Sequence, residues 1–113
     1  MTPLRPRSKY HAQPTIVHGF RFASQAEARR YGELLLLGRA GELRNLELQP
    51  RFPITSGGAV VAVYVADFRY EEQRFGRTWH DVVEDVKGVQ TPVYKLKKRL
   101  VEAQYGIQIR ETR

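Results

Sequence analysis

The sequence predicts an α/β fold in which a mixed central sheet is flanked by helices, in the order α-β-β-β-α-β. Three observations favour it: a capped amphipathic helix begins after Ser24, valine-rich strands separated by turn signals fill the middle of the chain, and a second capped helix begins after Thr91. The 113 residues suffice for one domain with its own core. We expect residues 15–113 to form it, and residues 1–14, with three prolines and three basic side chains, to form a flexible basic arm.

The first helix is predicted from a capping box, Ser24-Gln25-Ala26-Glu27, and should run to about Gly38 or Ala40. A short extended segment around Ile16–Phe22 precedes it. Helical spacing places one set of side chains inward: Glu27, Tyr31, Leu34, Leu35 and Gly38. The same spacing places a charged set outward: Arg29, Arg30 and Glu33.

Three strands are predicted next. A moderate signal near Leu46–Gln49 is followed by Pro50 and Pro53, which favour an edge or a bend. After a hairpin turn at Gly57-Gly58 comes the longest apolar run, Ala59–Tyr70, whose near-continuous hydrophobicity predicts a strand buried on both faces. A polar turn over residues 71–77 leads into a strand over residues 78–87, which should pair with the apolar run as a hairpin.

The second helix is predicted to start at Thr91-Pro92 and to end at Gly106, before a last short strand at Ile107–Ile109. Its spacing predicts a buried stripe: Val93, Leu96, Leu100, Ala103 and Gln104. The opposite side gathers polar side chains: Tyr94, Lys95, Lys98 and Arg99.

Composition limits the function. A formal net charge of +7 and a pI near 10.1 favour a polyanionic partner. The absence of cysteine excludes disulfides, thiolate metal sites and a cysteine nucleophile, and it favours a reducing, cytoplasmic location. We expect no membrane partner, because no apolar run approaches the roughly 20 residues that span a bilayer.

One group of residues indicates chemistry. Asp85 and Lys87 are two apart on one strand and so share a face, and a hairpin brings Asp67 of the preceding strand alongside. The two carboxylates and the Val86 carbonyl would suit Mg²⁺ or Mn²⁺, which prefer oxygen ligands. Glu27, at the inner end of the first helix, could add an oxygen, and Lys87 could orient the attacking water or stabilise charge. Glu27 could instead serve only as the cap of its helix, and Lys87 only as the ion-pair partner of Asp85.

The order of elements and these motifs resemble the PD-(D/E)XK nuclease superfamily, whose core is restriction-endonuclease-like. The resemblance covers roughly residues 20–110 and extends to archaeal-type and phage-encoded Holliday junction resolvases and to small phage endonucleases. It is carried by Ala66-Asp67-Phe68, by Val83-Glu84-Asp85-Val86-Lys87-Gly88, and by the helix segment Phe22-Ala23-Ser24-Gln25-Ala26-Glu27-Ala28.

The resemblance implies a divalent-metal endonuclease in which Asp67 and Asp85 hold the metal, Lys87 is the catalytic lysine and Glu27 is the helix carboxylate. There are two departures from the pattern. Ala66 replaces the proline of the motif, and Asp85 stands where resolvases more often have glutamate. Strand alternation favours Asp85 over the adjacent Glu84, although a bulge could exchange them.

Three functions remain open at this point: a homodimeric resolvase of four-way DNA junctions, an endonuclease of the same fold acting on flaps, forks or duplex DNA, and a DNA-binding accessory protein without chemistry. The aromatic side chains Phe52 and Tyr64 are candidates for an exposed dimer surface. The expected DNA contacts are Arg5, Arg7, Lys9, Tyr94, Lys95 and Lys98.

Overall fold

The computed structural model describes residues 15–113, which form two helices and eight strands. In chain order these are β1 (Thr15–Val17), β2 (Phe20–Phe22), α1 (Gln25–Arg39), β3 (Leu43–Leu48), β4 (Arg51–Ser56), β5 (Ala59–Val65), β6 (Phe68–Arg74), β7 (Thr78–Val86), α2 (Pro92–Tyr105) and β8 (Ile109–Thr112).

A mixed four-stranded sheet in the order β3-β6-β7-β8 forms the centre of the fold. β6 pairs antiparallel with β3 and β7, whereas β8 pairs parallel with β7 after the crossover through α2. Because alternate residues of a strand point to opposite faces, β7 serves two cores. Val82 packs into the cluster that contains α1, and Val83 packs into the cluster that contains α2 and the β4–β5 hairpin. The predicted α/β fold with a mixed sheet between helices is confirmed.

Helix α1 begins where its cap predicts. The Ser24 side chain accepts a hydrogen bond from the Glu27 N–H at 3.2 Å, which satisfies one of the free donors of the first turn. Glu27, Tyr31 and Leu34 are buried as the spacing predicts. The expectation that Arg30 faces outward is wrong, because its guanidinium reaches a buried carboxylate on β7, as described below.

The apolar run Ala59–Tyr70 is not one strand. β5 forms a two-stranded sheet with β4 through the Gly57-Gly58 turn, and the chain then leaves that sheet at Ala66 and Asp67 to start β6 in the central sheet. β5 is also not buried on both faces: Val60, Val61 and Val65 are exposed, since nothing among the described residues covers the outer side of this hairpin. The predicted pairing of the run with the next strand holds for β6 and β7 alone.

Three boundaries differ from the predictions for the same reason, namely that pairing with a neighbour extends a strand beyond its apolar residues. β3 starts at Leu43 rather than Leu46, and β6 continues to Arg74 through a segment predicted as a turn. The last strand is β8 rather than Ile107–Ile109, because its partner positions on β7 run from Val83 to Val86.

Helix α2 has the predicted caps, but the face that it buries is not the face that the spacing predicts. Thr91 accepts from the Tyr94 N–H at 3.1 Å, and Gly106 ends the helix at φ 65°, a left-handed conformation that suits glycine. The side chain that enters the core is Val101, whereas Val93, Leu96 and Leu100 of the predicted buried stripe are exposed. The helix turns this way because the side of Tyr94 and Val101 packs on the sheet and on the β4–β5 hairpin.

The β4–β5 hairpin covers the α2 side of the sheet. Phe52 and Tyr64 are buried there. The centroid of the Phe52 ring lies 5.3 Å from that of Tyr105, and the centroid of the Tyr64 ring lies 6.2 Å from that of Tyr94. The expectation that these two aromatic residues form an exposed dimer surface is therefore wrong. Neither helix within residues 15–113 is long and apolar enough to cross a membrane.

Candidate active site

The break between β5 and β6 brings two aspartates together. The register pairs Phe68 with Glu84, so Asp67, one residue earlier, lies level with Asp85, one residue later. The two residues hold each other: the Asp67 N–H donates to Asp85 Oδ1 at 3.0 Å, and the Val86 N–H donates to Asp67 Oδ2 at 2.7 Å. The structure therefore places Asp67 where the sequence predicted, beside the end of β7, although at the start of its own strand rather than near the end.

Asp85 is fully buried and only half satisfied. Its Oδ1 atom accepts the Asp67 N–H, while its Oδ2 atom has no hydrogen-bond partner in the part of the chain that the structure describes. Burial raises the pKa of Asp85 to about 6, against the opposing effect of the nearby Lys87 charge. An unpartnered buried carboxylate oxygen is unfavourable unless something binds it. This atom is the clearest sign of a ligand position in the described residues.

Glu27 reaches the same place from the first turn of α1. Burial, together with a hydrogen bond to Asp67 and the Asp67 charge, raises the pKa of Glu27 to about 8, and Lys87 opposes this. With a pKa of about 8, Glu27 is mostly protonated at neutral pH and donates a hydrogen bond to Asp67. Its presence in a metal-ligand set requires the loss of that proton.

Lys87 completes the group. Its N–H donates to the Thr112 carbonyl at 2.8 Å, which continues the pairing of β7 with β8, and its ammonium lies 4.6 Å from the centroid of the Tyr94 ring. The Lys87 charge opposes the rise that burial causes in the pKa of both Asp85 and Glu27, so it stands close to these carboxyl groups. The structure thus brings all four predicted site residues together at one end of the sheet, where β6 begins and β7 ends.

Glu111 on β8 and Gln90 before α2 are residues that the sequence reasoning missed. Glu111 lies opposite Asp85 in the β7–β8 register and accepts from Tyr94 Oη at 2.9 Å and from Gln90 Nε2 at 2.7 Å. Lys98 forms an ion pair with the same carboxylate at 3.0 Å. The sequence spacing of these residues does not predict that they cluster, because Glu111, to which the others bond, lies on the last strand of the chain.

The residues that were predicted to contact DNA differ in whether their side chains are already bonded within the protein. Lys98 is paired with Glu111, and Tyr94 has its pKa raised by burial and by its hydrogen bond to Glu111. Both therefore support the site, whereas Lys95 is exposed on the outer side of α2. The predicted contacts of the N-terminal arm, Arg5, Arg7 and Lys9, lie outside the described residues, as does the whole of the segment 1–14 that was predicted to be a flexible arm.

Glu84 faces the other side of the sheet. Arg30 binds its carboxylate with Nε at 2.7 Å and Nη2 at 3.0 Å, Tyr70 Oη donates at 2.5 Å, and Thr112 Oγ1 donates at 2.9 Å. Burial would raise the pKa of Glu84, but these donors hold it below its usual value. β7 carries no bulge here that would exchange Glu84 with Asp85.

The residues present fit a hard divalent cation with few protein ligands. No group of three or more histidine, aspartate or glutamate side chains in residues 15–113 has the arrangement of a metal site. Mg²⁺, however, typically uses one or two carboxylates and fills its remaining positions with water and substrate phosphate. Asp85 Oδ2 is free to bind, and Asp67 lies beside it. The Val86 carbonyl points to the same side, because the N–H and C=O of one strand residue share a direction and this N–H faces Asp67.

The raised pKa values predict that metal-free protein loses stability as pH rises. The unfolded chain releases the protons of Asp85 and Glu27 with pKa values of 3.8 and 4.5, whereas the folded chain retains the Asp85 proton up to about pH 6 and the Glu27 proton up to about pH 8, so the free energy of unfolding falls as pH rises across this range. One pKa unit corresponds to about 1.4 kcal/mol, and because solvent screening and the interaction with Asp67 reduce the full effect of these shifts, we expect a loss of a few kcal/mol. Urea unfolding in EDTA at about pH 5 and pH 8.5 measures it. Glu27→Gln, which can still donate to Asp67, should flatten the dependence, and an unchanged slope would contradict the assignment.

Comparison with known proteins identifies the family. No curated protein and no solved structure is significantly similar to the chain. A family model described as "Protein of unknown function (DUF1064)" matches residues 7–112, which include every element of the fold and all four carboxyl and lysine residues of the site. The chain belongs to the DUF1064 family.

Proposed function

We propose that the chain is a divalent-metal-dependent DNA endonuclease with a PD-(D/E)XK-type site, and that its substrate is the four-way DNA junction. The observation that carries the proposal is the buried Asp85 carboxylate beside Asp67 and Lys87, whose Oδ2 atom has no hydrogen-bond partner within residues 15–113. A purely structural aspartate in this position would leave a buried carboxylate oxygen without a donor among the described residues.

The order of elements supports the same class. With the separate β1–β2 and β4–β5 hairpins set aside, the chain reads α1, β3, β6, β7, α2, β8, and the sheet order is β3-β6-β7-β8. This matches the α-β-β-β-α-β order of the superfamily, with the two aspartates at adjacent ends of its second and third strands. The net charge of +7 supports a polyanionic substrate.

The residues divide the chemistry among them. Asp67, Asp85 and the Val86 carbonyl would hold the cation, with Glu27 joining once it is deprotonated. A bound Mg²⁺ or Mn²⁺ would supply a water of lowered pKa and positive charge beside the phosphate. Lys87 donates from its ammonium to the phosphate oxygen or to the attacking water, and the Tyr94 ring beside it limits where that ammonium can lie.

A homodimer is part of the proposal, because symmetric cuts in two strands need two sites related by a two-fold axis. The exposed apolar face of α2 offers a surface for a second copy: Val93, Leu96 and Leu100 are spaced as in helix pairs and are exposed in the single chain. An antiparallel, two-fold pairing of α2 would place Leu96 next to Leu100 of the partner subunit.

The test is cleavage of labelled DNA by the full chain. We expect nicking of four-way junctions with Mg²⁺ or Mn²⁺ and none in EDTA, and we expect Asp67→Asn to remove it. Asp81→Asn is the matched control, because Asp81 is an exposed acid on β7 whose carboxylate pairs with Arg69. Light scattering on the same samples reports whether the active species is a dimer.

The competing functions give different results. Cleavage of flaps, forks or linear duplex as fast as junctions would assign another substrate to the same site. Salt-dependent DNA binding without cleavage under either metal would reject the enzyme and leave the accessory DNA-binding protein.

A further inference from the structure

The hairpin between β6 and β7 ends in an unusual turn. Arg77 N–H donates to the Arg74 carbonyl at 3.3 Å, and the two residues between them, Phe75 and Gly76, have φ values of 56° and 66°. Tight hairpin turns with positive φ at both central residues strongly favour asparagine, aspartate or glycine at the first. A bulky aromatic residue is strained in that conformation.

Phe75 also gains nothing from packing. Its side chain is 98% exposed, the highest value among the large hydrophobic residues of the described chain. The conformation and the exposure both disfavour this residue on grounds of stability alone. A side chain that is unfavourable in two independent ways, at a position that the chain could fill with asparagine, indicates a use outside the fold.

Two arginines flank the ring. Arg74 is half exposed and lies 3.6 Å from Glu72, but that carboxylate is held more closely by Arg110 at 2.6 Å. Arg77 is exposed on the other side of the turn. The tip therefore combines an exposed flat apolar ring with two arginines next to it in the turn, which fits a partner that has flat rings and regularly spaced negative charges.

We propose that the β6–β7 tip is a DNA-binding element in which Phe75 stacks on an unpaired or unstacked base while Arg74 and Arg77 contact the adjacent phosphates. Base stacking on aromatic side chains and insertion of apolar wedges between base steps are general modes of nucleic-acid binding. The choice of DNA rests on the proposed function, and the element deepens it by naming the substrate feature that is recognised: bases that are not held in a continuous stack.

The tip acts at a distance from the carboxylates. Asp67 precedes β6 and Phe75 follows it, so the two are eight residues apart along an extended strand, or roughly 26 Å at about 3.3 Å per residue. At about 3.4 Å per nucleotide this corresponds to seven or eight nucleotides. The tip therefore contributes to binding and to substrate choice, and it takes no part in breaking the bond.

The experiment measures binding in EDTA, where no cleavage occurs, by full-length protein to labelled single-stranded, junction and uninterrupted duplex DNA. Phe75→Asn should weaken binding to single strands and junctions roughly 10-fold and change duplex binding little, because only the former offer unstacked bases. Phe75→Trp should retain the affinity. The double variant Arg74→Gln/Arg77→Gln should weaken all three substrates and reduce the salt slope by about 2.

Two controls separate binding from folding. Phe75→Asn suits the left-handed turn, so its melting temperature should equal or exceed that of the wild type. Val61→Thr, an exposed apolar change on β5, should leave every affinity unchanged. Loss of affinity together with retained stability can then be attributed to the ring.

Several results would overturn the proposal: unchanged affinities in Phe75→Asn, equal losses on all three substrates, no DNA binding by the wild type in EDTA, or a change in self-association without a change in DNA binding. If DNA binding depended on Phe75 but the protein showed no metal-dependent cleavage, the proposed nuclease activity would be rejected and the proposed DNA-binding role of the tip would stand.

Discussion

Asp85→Asn is expected to abolish metal-dependent cleavage and to stabilise the metal-free protein at neutral pH. The amide keeps the oxygen that accepts the Asp67 N–H at 3.0 Å, so the contact between the two strand ends survives. It removes the charge that the fold buries without a partner at Oδ2. Activity and stability should therefore change in opposite directions, which a general folding defect cannot produce.

The magnitudes follow from the two roles. Loss of one charged ligand removes several kcal/mol of transition-state stabilisation, and about 4 kcal/mol corresponds to roughly 10³-fold in rate. Because burial raises the pKa of Asp85 to about 6, the folded wild type releases this proton unfavourably above that pH, whereas the variant does not. The stability gain should thus be larger at pH 8 than at pH 5.

Thermal unfolding with and without Mg²⁺ provides a readout that does not depend on activity. A cation that binds the folded state alone stabilises it by about 2.7 kcal/mol at 100 times its dissociation constant. The wild type and the Asp81→Asn control should respond to Mg²⁺, and Asp85→Asn should not. Full cleavage by Asp85→Asn, or an equal response to Mg²⁺, would reject this residue as the metal ligand.

Local signals in the sequence predicted local structure. Ser24 and Thr91 cap their helices with the expected hydrogen bonds, and Gly57-Gly58 and Gly106 adopt the left-handed conformations that end a strand and a helix. The grouping of Asp67, Asp85 and Lys87 was predictable too, since a two-residue spacing on one strand and a hairpin are enough to bring these three residues together. These features depend on neighbours within a few residues, or on a single pairing of adjacent strands.

The failed expectations depend on partners far away in the chain. The apolar run through Ala66 and Asp67 contains no glycine or proline, and it is divided because Asp67 bonds to the end of β7. Helix α2 has apolar residues on more than one side, and the position of the sheet determines that Val101 is buried and Leu96 is not. Sequence spacing also could not predict that Arg30 binds the carboxylate of Glu84, because the two residues are 54 positions apart in the chain.

Arg30→Ala is expected to destabilise the fold by about 3–5 kcal/mol, because it leaves the Glu84 charge buried without its cation. The Glu84 side chain is fully buried, and Tyr70 and Thr112 then supply its only other side-chain donors among the described residues. Arg29→Ala is the matched control, since Arg29 is exposed on the same helix, and it should change the free energy of unfolding by no more than about 0.5 kcal/mol.

The same prediction separates the two adjacent carboxylates of β7. Adding Glu84→Gln to Arg30→Ala should recover part of the loss, because a neutral amide still accepts from Tyr70 and Thr112 and no charge remains buried. Urea unfolding of the four proteins measures the coupling. Under conditions where the variants stay folded, Glu84→Gln should cleave DNA at close to the wild-type rate, whereas Asp85→Asn should not. If Glu84→Gln lost cleavage without losing stability, Glu84 would belong to the site and the two faces of β7 would have to be reassigned.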